Sequence, residues 1–237
     1  MQLTQECEKW PHVILVQPKK VIFALRDYYK DVLPVIRSEP TNQPDPMFPY
    51  PTQYTSLEEP SIQTRFKYVI QLEKDKLLFR CSTIDHPDRT ICVKFVRRYS
   101  KEAHIKCASL GFAPALQGFQ TIGGGWSMVV MDFVDDSYQL LEDSNVKGSF
   151  SSEIKEKVGS LHQAGYVHGD IRTTNMMVKK TGEPGIILFD FDWAGVIGEV
   201  RYPMNVNTRD IKRPDGAVDG MLILAKHDME MVDFMFL

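Results

Sequence analysis

The sequence predicts an α+β fold in two lobes: a five-stranded antiparallel half carrying one helix, followed by a shortened, mainly helical half. Three observations carry this. Residues 66–134 hold short runs rich in Val, Ile, Leu, Phe and Tyr, broken by turn signals, as strands are. Residues 151–162 and 222–236 carry apolar side chains at helical spacing. Between those helices, Asp and Asn cluster in two loops around a short hairpin pattern.

With 237 residues the chain suits one medium domain or two tightly coupled lobes, and a 43% hydrophobic share can fill a real core. A net charge of -3 gives no reason to invoke nucleic acid or an anionic membrane as partner. Cys7, Cys81, Cys92 and Cys107 form no CxxC pair, which argues against zinc and a disulfide scaffold and for reduced thiols in an intracellular, cytoplasmic protein. No secretory signal is expected from MQLTQECEKWPH, and no stretch reaches the ~18 apolar residues of a membrane span.

In chain order, residues 18–36 read as an amphipathic helix with Val21, Leu25, Tyr28, Val32 and Val35 in one stripe. Residues 38–60, with six prolines, read as an extended arm whose Phe48, Tyr50 and Tyr54 pack on something. Strands are expected at 66–72, 76–84 and 90–96, then a helix at 100–110, then strands at 118–120 and 126–134 across the Gly123-Gly124-Gly125 turn. A helix at 151–162, short strands at 176–179 and 185–189, and a helix at 222–236 complete the reading. The last helix is expected to face inward with Leu222, Ala225, Met229, Val232 and Phe236, and to leave His227 and Asp228 on an exposed polar side. The domain division expected is an arm at 1–60, a first lobe at 61–134 and a second at 135–237.

Chemistry concentrates in His168-Gly169-Asp170-Ile171-Arg172-Thr173-Thr174-Asn175 and in Leu188-Phe189-Asp190-Phe191-Asp192. Phosphoryl transfer needs metal to neutralise phosphates and a carboxylate to orient the attacking hydroxyl. Hard Mg²⁺ prefers oxygen ligands and takes few from protein. Asp170, Asn175 and Asp190 offer such oxygens from two loops, and the intervening hairpin would fold Asn175 back beside Asp190. The plainer alternative is a hydrogen-bonded Asp-Asn turn and a strand-capping acid.

HGDIRTTN resembles the protein-kinase catalytic loop, in the HGD form also found in small-molecule phosphotransferases. FDFDWAG resembles the kinase metal-binding triplet, with Asp192 in the usual glycine position. The resemblance implies ATP and Mg²⁺ as cofactors, Asp170 as catalytic base, and Asn175 and Asp190 as metal ligands. It also matches Thr90-Ile91-Cys92-Val93-Lys94-Phe95 to the third-strand lysine element. Lys94 would then reach the phosphates, paired with Glu102; the alternative is a solvent-facing lysine and an unrelated glutamate. Met128-Val129-Val130-Met131-Asp132-Phe133-Val134 resembles the strand entering the hinge, which implies adenine contacts at Asp132, Phe133 and Val134 and places Met131 near the gatekeeper position. Phrases such as PYPTQYTSLEEP, WSMVVMDFVD and DGMLILAKHDMEM extend the resemblance to kinase-like proteins of mushroom-forming fungi, some of whose relatives accompany Crinkler-type effectors.

The chain departs from that pattern in two places. The turn where a kinase carries its glycine-rich loop reads Gln71-Leu72-Glu73-Lys74-Asp75-Lys76, and Gly123-Gly124-Gly125 stands before the hinge strand, in the wrong place to substitute. Only 47 residues follow Asp190 (237 minus 190), with Arg201 and Tyr202 expected to dock the segment there. The function expected is an ATP- and Mg-dependent phosphotransferase acting on protein Ser or Thr hydroxyls. A small-molecule hydroxyl kinase and a nucleotide-binding pseudokinase are the alternatives.

Overall fold

The computed structural model describes residues 51–236 except Asp75 and Val146. The expected helix at 18–36, Cys7 and most of the proline-rich arm lie outside the described residues.

The first lobe is a six-stranded antiparallel sheet in the order β1-β2-β3-β4-β6-β5. Its strands are β1 (Gln53–Thr55), β2 (Gln63–Gln71), β3 (Leu78–Thr83), β4 (Thr90–Val96), β5 (Leu116–Ile122) and β6 (Trp126–Asp132). The five expected strands are present, and a sixth comes from the end of the arm, so the sheet begins before residue 60. Tyr54 explains the addition. Its ring is buried and lies against Gly118, where a Cβ would stand 2.6 Å from Tyr54 Cδ2. Only glycine lets β1 settle that closely.

Strand β4 is central and buried on both faces. Ile91, Val93 and Phe95 join Phe66 and Met128 in one cluster, and Cys92 and Val96 join Val129 and Met131 in another. Side chains alternate along a strand, so Lys94 falls on the Cys92–Val96 face. Helix α1 (Lys101–Ser109) follows, with Ser100 capping the Ala103 N–H at 3.3 Å.

The second lobe packs α2 (Ser151–Gln163) against α3 (Ala225–Phe234). Ile154, Val158 and Leu161 face inward as the period predicts. Two small sheets complete it: β10-β9-β7, from Ile186–Leu188, Met176–Lys179 and Tyr138–Leu140, and the pair of β8 (Tyr166–Val167) with β11 (Gly195–Val196). Helix α3 differs from expectation. It is shorter, and its buried residues are His227, Asp228, Met231 and Val232. Leu222 instead bridges Arg201 in extended conformation. The apolar stripe misleads because the polar pair is the buried one, held by hydrogen bonds described below. No helix among the described residues is long and apolar enough to cross a membrane.

Candidate functional site

The loop from His168 to Asn175 is fixed from three sides. Asp228 of α3, 1% exposed, accepts from the His168 N–H at 2.7 Å, the Gly169 N–H at 2.8 Å and His162 Nε2 at 3.0 Å. The His168 ring is buried, with Nε2 3.1 Å from the Phe189 carbonyl, and Asp170 N–H donates to its Nδ1 at 3.3 Å. Gly169 has φ +82, and a Cβ there would meet Ile223 Cδ1 at 2.8 Å. Both the backbone and the space require glycine. The hairpin closes the third side: Leu188 pairs with Met176, and Phe189 N–H donates to the Asn175 carbonyl at 3.1 Å, so Asn175 and Asp190 come from adjoining backbone.

Within this frame Asp170 is buried. Asn175 Nδ2 donates to its carbonyl at 2.9 Å and to Oδ2 at 3.0 Å, and Arg172 Nη2 donates to Oδ2 at 2.7 Å. Arg213 Nη2 lies 2.8 Å from Oδ1, an ion pair by distance, although poor alignment leaves Oδ1 without a hydrogen bond. The Arg213 guanidinium also lies 5.0 Å from the centre of the Trp193 ring.

Lys94 reaches across from β4. Its Nζ is 2.5 Å from Asp190 Oδ1 and 2.6 Å from Asp192 Oδ1. Burial alone would depress the lysine, but the two carboxylates outweigh it and its pKa is raised. Burial would raise Asp190, but Lys94 overrides this and the acid is held below the ordinary carboxylate range. Asp192 goes the other way. Burial and the adjacent Asp190 charge, only partly offset by Lys94, push it up to about 7. Asp190 adopts φ +69, a left-handed conformation uncommon outside glycine, and such strain concentrates at functional positions.

Lys94 does not pair with Glu102. Glu102 is exposed on α1, whose buried residues are Ala103, His104 and Cys107. Two residues turn a helix by about 200°, so presenting His104 inward sends Glu102 out. His104 stacks on Phe191 at 4.6 Å and 10°, with Nδ1 2.7 Å from Tyr99 Oη and Nε2 2.8 Å from the Pro114 carbonyl.

A cavity of about 570 Å³ opens between the lobes, lined by Lys94, Asp190, Met131, Asp132, Phe133 and Val134 among others. The Asp132 N–H is committed to the Ala115 carbonyl at 3.0 Å. Arg172 borders both the cavity and Asp170. Glu73 and Lys76 line the rim and pair at 3.0 Å, which ties the glycine-free turn to itself.

The chain superimposes on the structure of vaccinia related kinase 3 with a TM-score of 0.55, over 80% of this chain and 68% of that one, at 15% identity. The chain has the protein-kinase fold. Its sequence is also 38% identical to the Citron rho-interacting kinase of Rattus norvegicus over 84 residues, 35% of this chain. It matches the Citron Rho-interacting kinase of Mus musculus to the same extent. The chain spans 4% of the length of those two relatives. No family model matches it.

In a kinase fold the cavity is the interlobe cleft; Arg172 and Thr174 of the 168–175 loop line it, whereas Asp170 and Asn175 are buried behind them and do not. The donor set fits a hard cation. Asn175 spends its amide nitrogen on Asp170, so its oxygen is the atom that could meet a cation, and Asp190 keeps an oxygen beyond the one held by Lys94. Among the described residues no group of three or more His, Cys, Asp or Glu side chains is placed to hold a metal ion. Mg²⁺ commonly takes one or two protein oxygens and completes its shell with phosphate and water. The sequence reading missed Asp228, Arg172, Arg213 and His104 as parts of this frame. For Asp228 the signal was an acid in the first turn of an amphipathic helix, set aside as surface. Arg201 and Tyr202 dock as expected: Arg201 Nη1 donates to the Gly220 carbonyl at 2.9 Å, and Tyr202 is buried against Trp193 and His227.

Proposed function

We propose that this protein is an ATP- and Mg-dependent phosphotransferase that moves the γ-phosphate to a Ser or Thr hydroxyl of a protein. The observation that supports it most is the meeting of Lys94 and Asp190 in one cleft, with the buried carboxylate Asp170 tied to that cleft's edge through Arg172 and Asn175.

In this reading the adenine lies between the lobes against Met131, with the backbone of Asp132 to Val134 along its edge. The Asp132 N–H is already spent, so the Asp132 carbonyl and the Val134 N–H are the groups that meet the base. Asn175 and Asp190 would hold Mg²⁺, which would neutralise phosphate charge. Lys94 moves from the two acids onto the phosphates. Asp170 accepts the acceptor hydroxyl's hydrogen bond through Oδ1, while Arg172 and Asn175 keep Oδ2 engaged and the carboxylate in place.

Asp170→Asn tests the assignment without stranding Arg172 and Arg213 on an apolar side chain. MgATP should still raise the melting temperature, while phosphate transfer falls by about 10² or more. Transfer at the wild-type rate in that variant would sink the assignment.

A second reading, a nucleotide-binding module without turnover, is favoured by the Gln71–Lys76 turn, which offers no glycine to bring backbone N–H groups onto phosphates. Thermal stabilisation by MgATP with no ATP consumption across a panel of protein acceptors would select it.

A further inference from the structure

Arg213 is the buried cation that the reading above leaves unused. It stands between Tyr202 and α3 in a segment whose one strand-like contact is the Arg201–Leu222 bridge. Its side chain is 4% exposed. One nitrogen, Nη2, lies against Asp170, but Nε and Nη1 are buried with no hydrogen-bond partner. Arg172 Nε is in the same condition. Asp170 Oδ1, the oxygen facing Arg213, has no hydrogen bond either.

Two guanidinium groups thus share one carboxylate. No other carboxylate among the described residues pairs with either of them. A buried donor left unmade costs about 1–3 kcal/mol, and more when it is charged. An arginine that served only to dock its segment would be paired or would reach water, as Arg201 does. The unfilled positions are complementary in a specific way: an acceptor oxygen on the base and N–H donors on the cation beside it. One ligand fills both if it carries a hydroxyl and, next to it, an anion.

We propose that Arg213 selects the acceptor, and that the acceptor is a hydroxyl flanked by a carboxylate or phosphate. This rests on the phosphotransferase reading above. The hydroxyl donates to Asp170 Oδ1, and the neighbouring anion accepts from the unpaired N–H groups of Arg213. In the transfer, the acceptor oxygen bonds the γ-phosphorus and the bond from that phosphorus to ADP breaks. The hydroxyl proton passes to Asp170. The anion stays unchanged on Arg213 and neutralises the second guanidinium. A Ser or Thr beside an acidic residue has this chemistry, and so does a small hydroxy acid.

Calorimetry on the full chain with a non-hydrolysable MgATP analogue tests this with two pairs of probes. One pair is a seryl peptide with Glu beside the serine and its Gln counterpart; the other is glycerate and glycerol. The charged member of at least one pair should bind about ten-fold or more tighter in the wild type. Arg213→Gln should bring that ratio close to one, and Arg213→Lys, which keeps the charge and loses the planar guanidinium, should retain part of it. Selectivity in the peptide pair assigns a protein acceptor, and in the glycerate pair alone a small one. Equal binding within both pairs, no binding of any probe, or a ratio that survives in Arg213→Gln overturns the proposal. The wild-type ratio decides even if a variant fails to fold. Phosphate transfer from MgATP is assayed in parallel. Selective binding without transfer overturns the phosphotransferase reading and leaves only the ligand site at Arg213 standing; transfer without selectivity overturns the role of Arg213 alone.

Discussion

Lys94 Nζ and Asp190 Oδ1 lie 2.5 Å apart although 96 residues separate them in the chain. The contact joins the central strand of the first lobe to the loop after β10, and Asp192 shares the same ammonium group.

Removing Lys94 leaves two carboxylates side by side without the cation that pairs them. Lys94→Met should lower unfolding stability by about 3 kcal/mol, the scale for stranding a buried charge. Lys94→Met with Asp192→Asn should recover more than half of that loss, since one of the opposed acids is gone. Urea unfolding of the two variants checks this. Equal destabilisation would show that the loss comes from packing.

Asp228 accepts two backbone N–H groups that nothing else satisfies. Asp228→Ala should cost about 3 kcal/mol, and Asp228→Asn, which retains one acceptor oxygen, about half as much. Hydrogen exchange at the His168 and Gly169 amides should accelerate in both variants, and unchanged exchange there would rule out Asp228 as their anchor.

Gly169→Ala meets the left-handed backbone and a crowded space, with Ile223 Cδ1 at 2.8 Å and Ile223 Cγ2 and Trp193 Cβ at 3.3 Å. About 2 kcal/mol or more should be lost. Ile223→Val deletes the clashing atom and leaves the backbone cost, so the double variant should regain part of the stability in thermal melts. No recovery would show that Ile223 Cδ1 is not the source of the loss.

His104 provides a pH signature. Burial, with a smaller contribution from Lys94, pushes it down to about 4 from the ordinary 6.5. The folded pKa is below the unfolded one, so below 6.5 the unfolded chain binds more protons. The stability His104 contributes is therefore complete above 6.5 and is lost as pH falls from 6.5 towards 4, by up to about 1.4 kcal/mol per pH unit. Melting temperatures of wild type and His104→Gln across that window should converge as the pH drops. Parallel curves would exclude it.

Much of this architecture was legible because its signals are local. The apolar run at 90–96 marked a strand, and its resemblance to the kinase lysine element singled out Lys94. The five-residue spacing of Asp170 and Asn175, with Asp190 after a hairpin, placed three oxygens together from short-range pattern alone. What escaped needed tertiary contact to be seen. Strand β1 is three residues in a proline-rich stretch, and only the Tyr54–Gly118 approach makes it part of the sheet. Glu102 was chosen by chemistry, but helix phase turned His104 inward instead. Asp228 and Arg213 are ordinary surface types in sequence; burial beside the loop gives them their roles, and no periodicity encodes that.

The Asp228 anchor also bears on the order in which the molecule matures. The first-lobe sheet is complete once residue 132 has been made, and Lys94 meets its acids by residue 192. The His168 amide waits for a partner 60 residues further along. At a synthesis rate of roughly 5–20 residues per second, the stretch from Asp192 to Asp228 takes a few seconds, in which the cleft is present and the loop lacks one of its three supports. A nascent chain halted in that interval holds a nucleotide-sized cavity above a loop that has not yet taken its working shape.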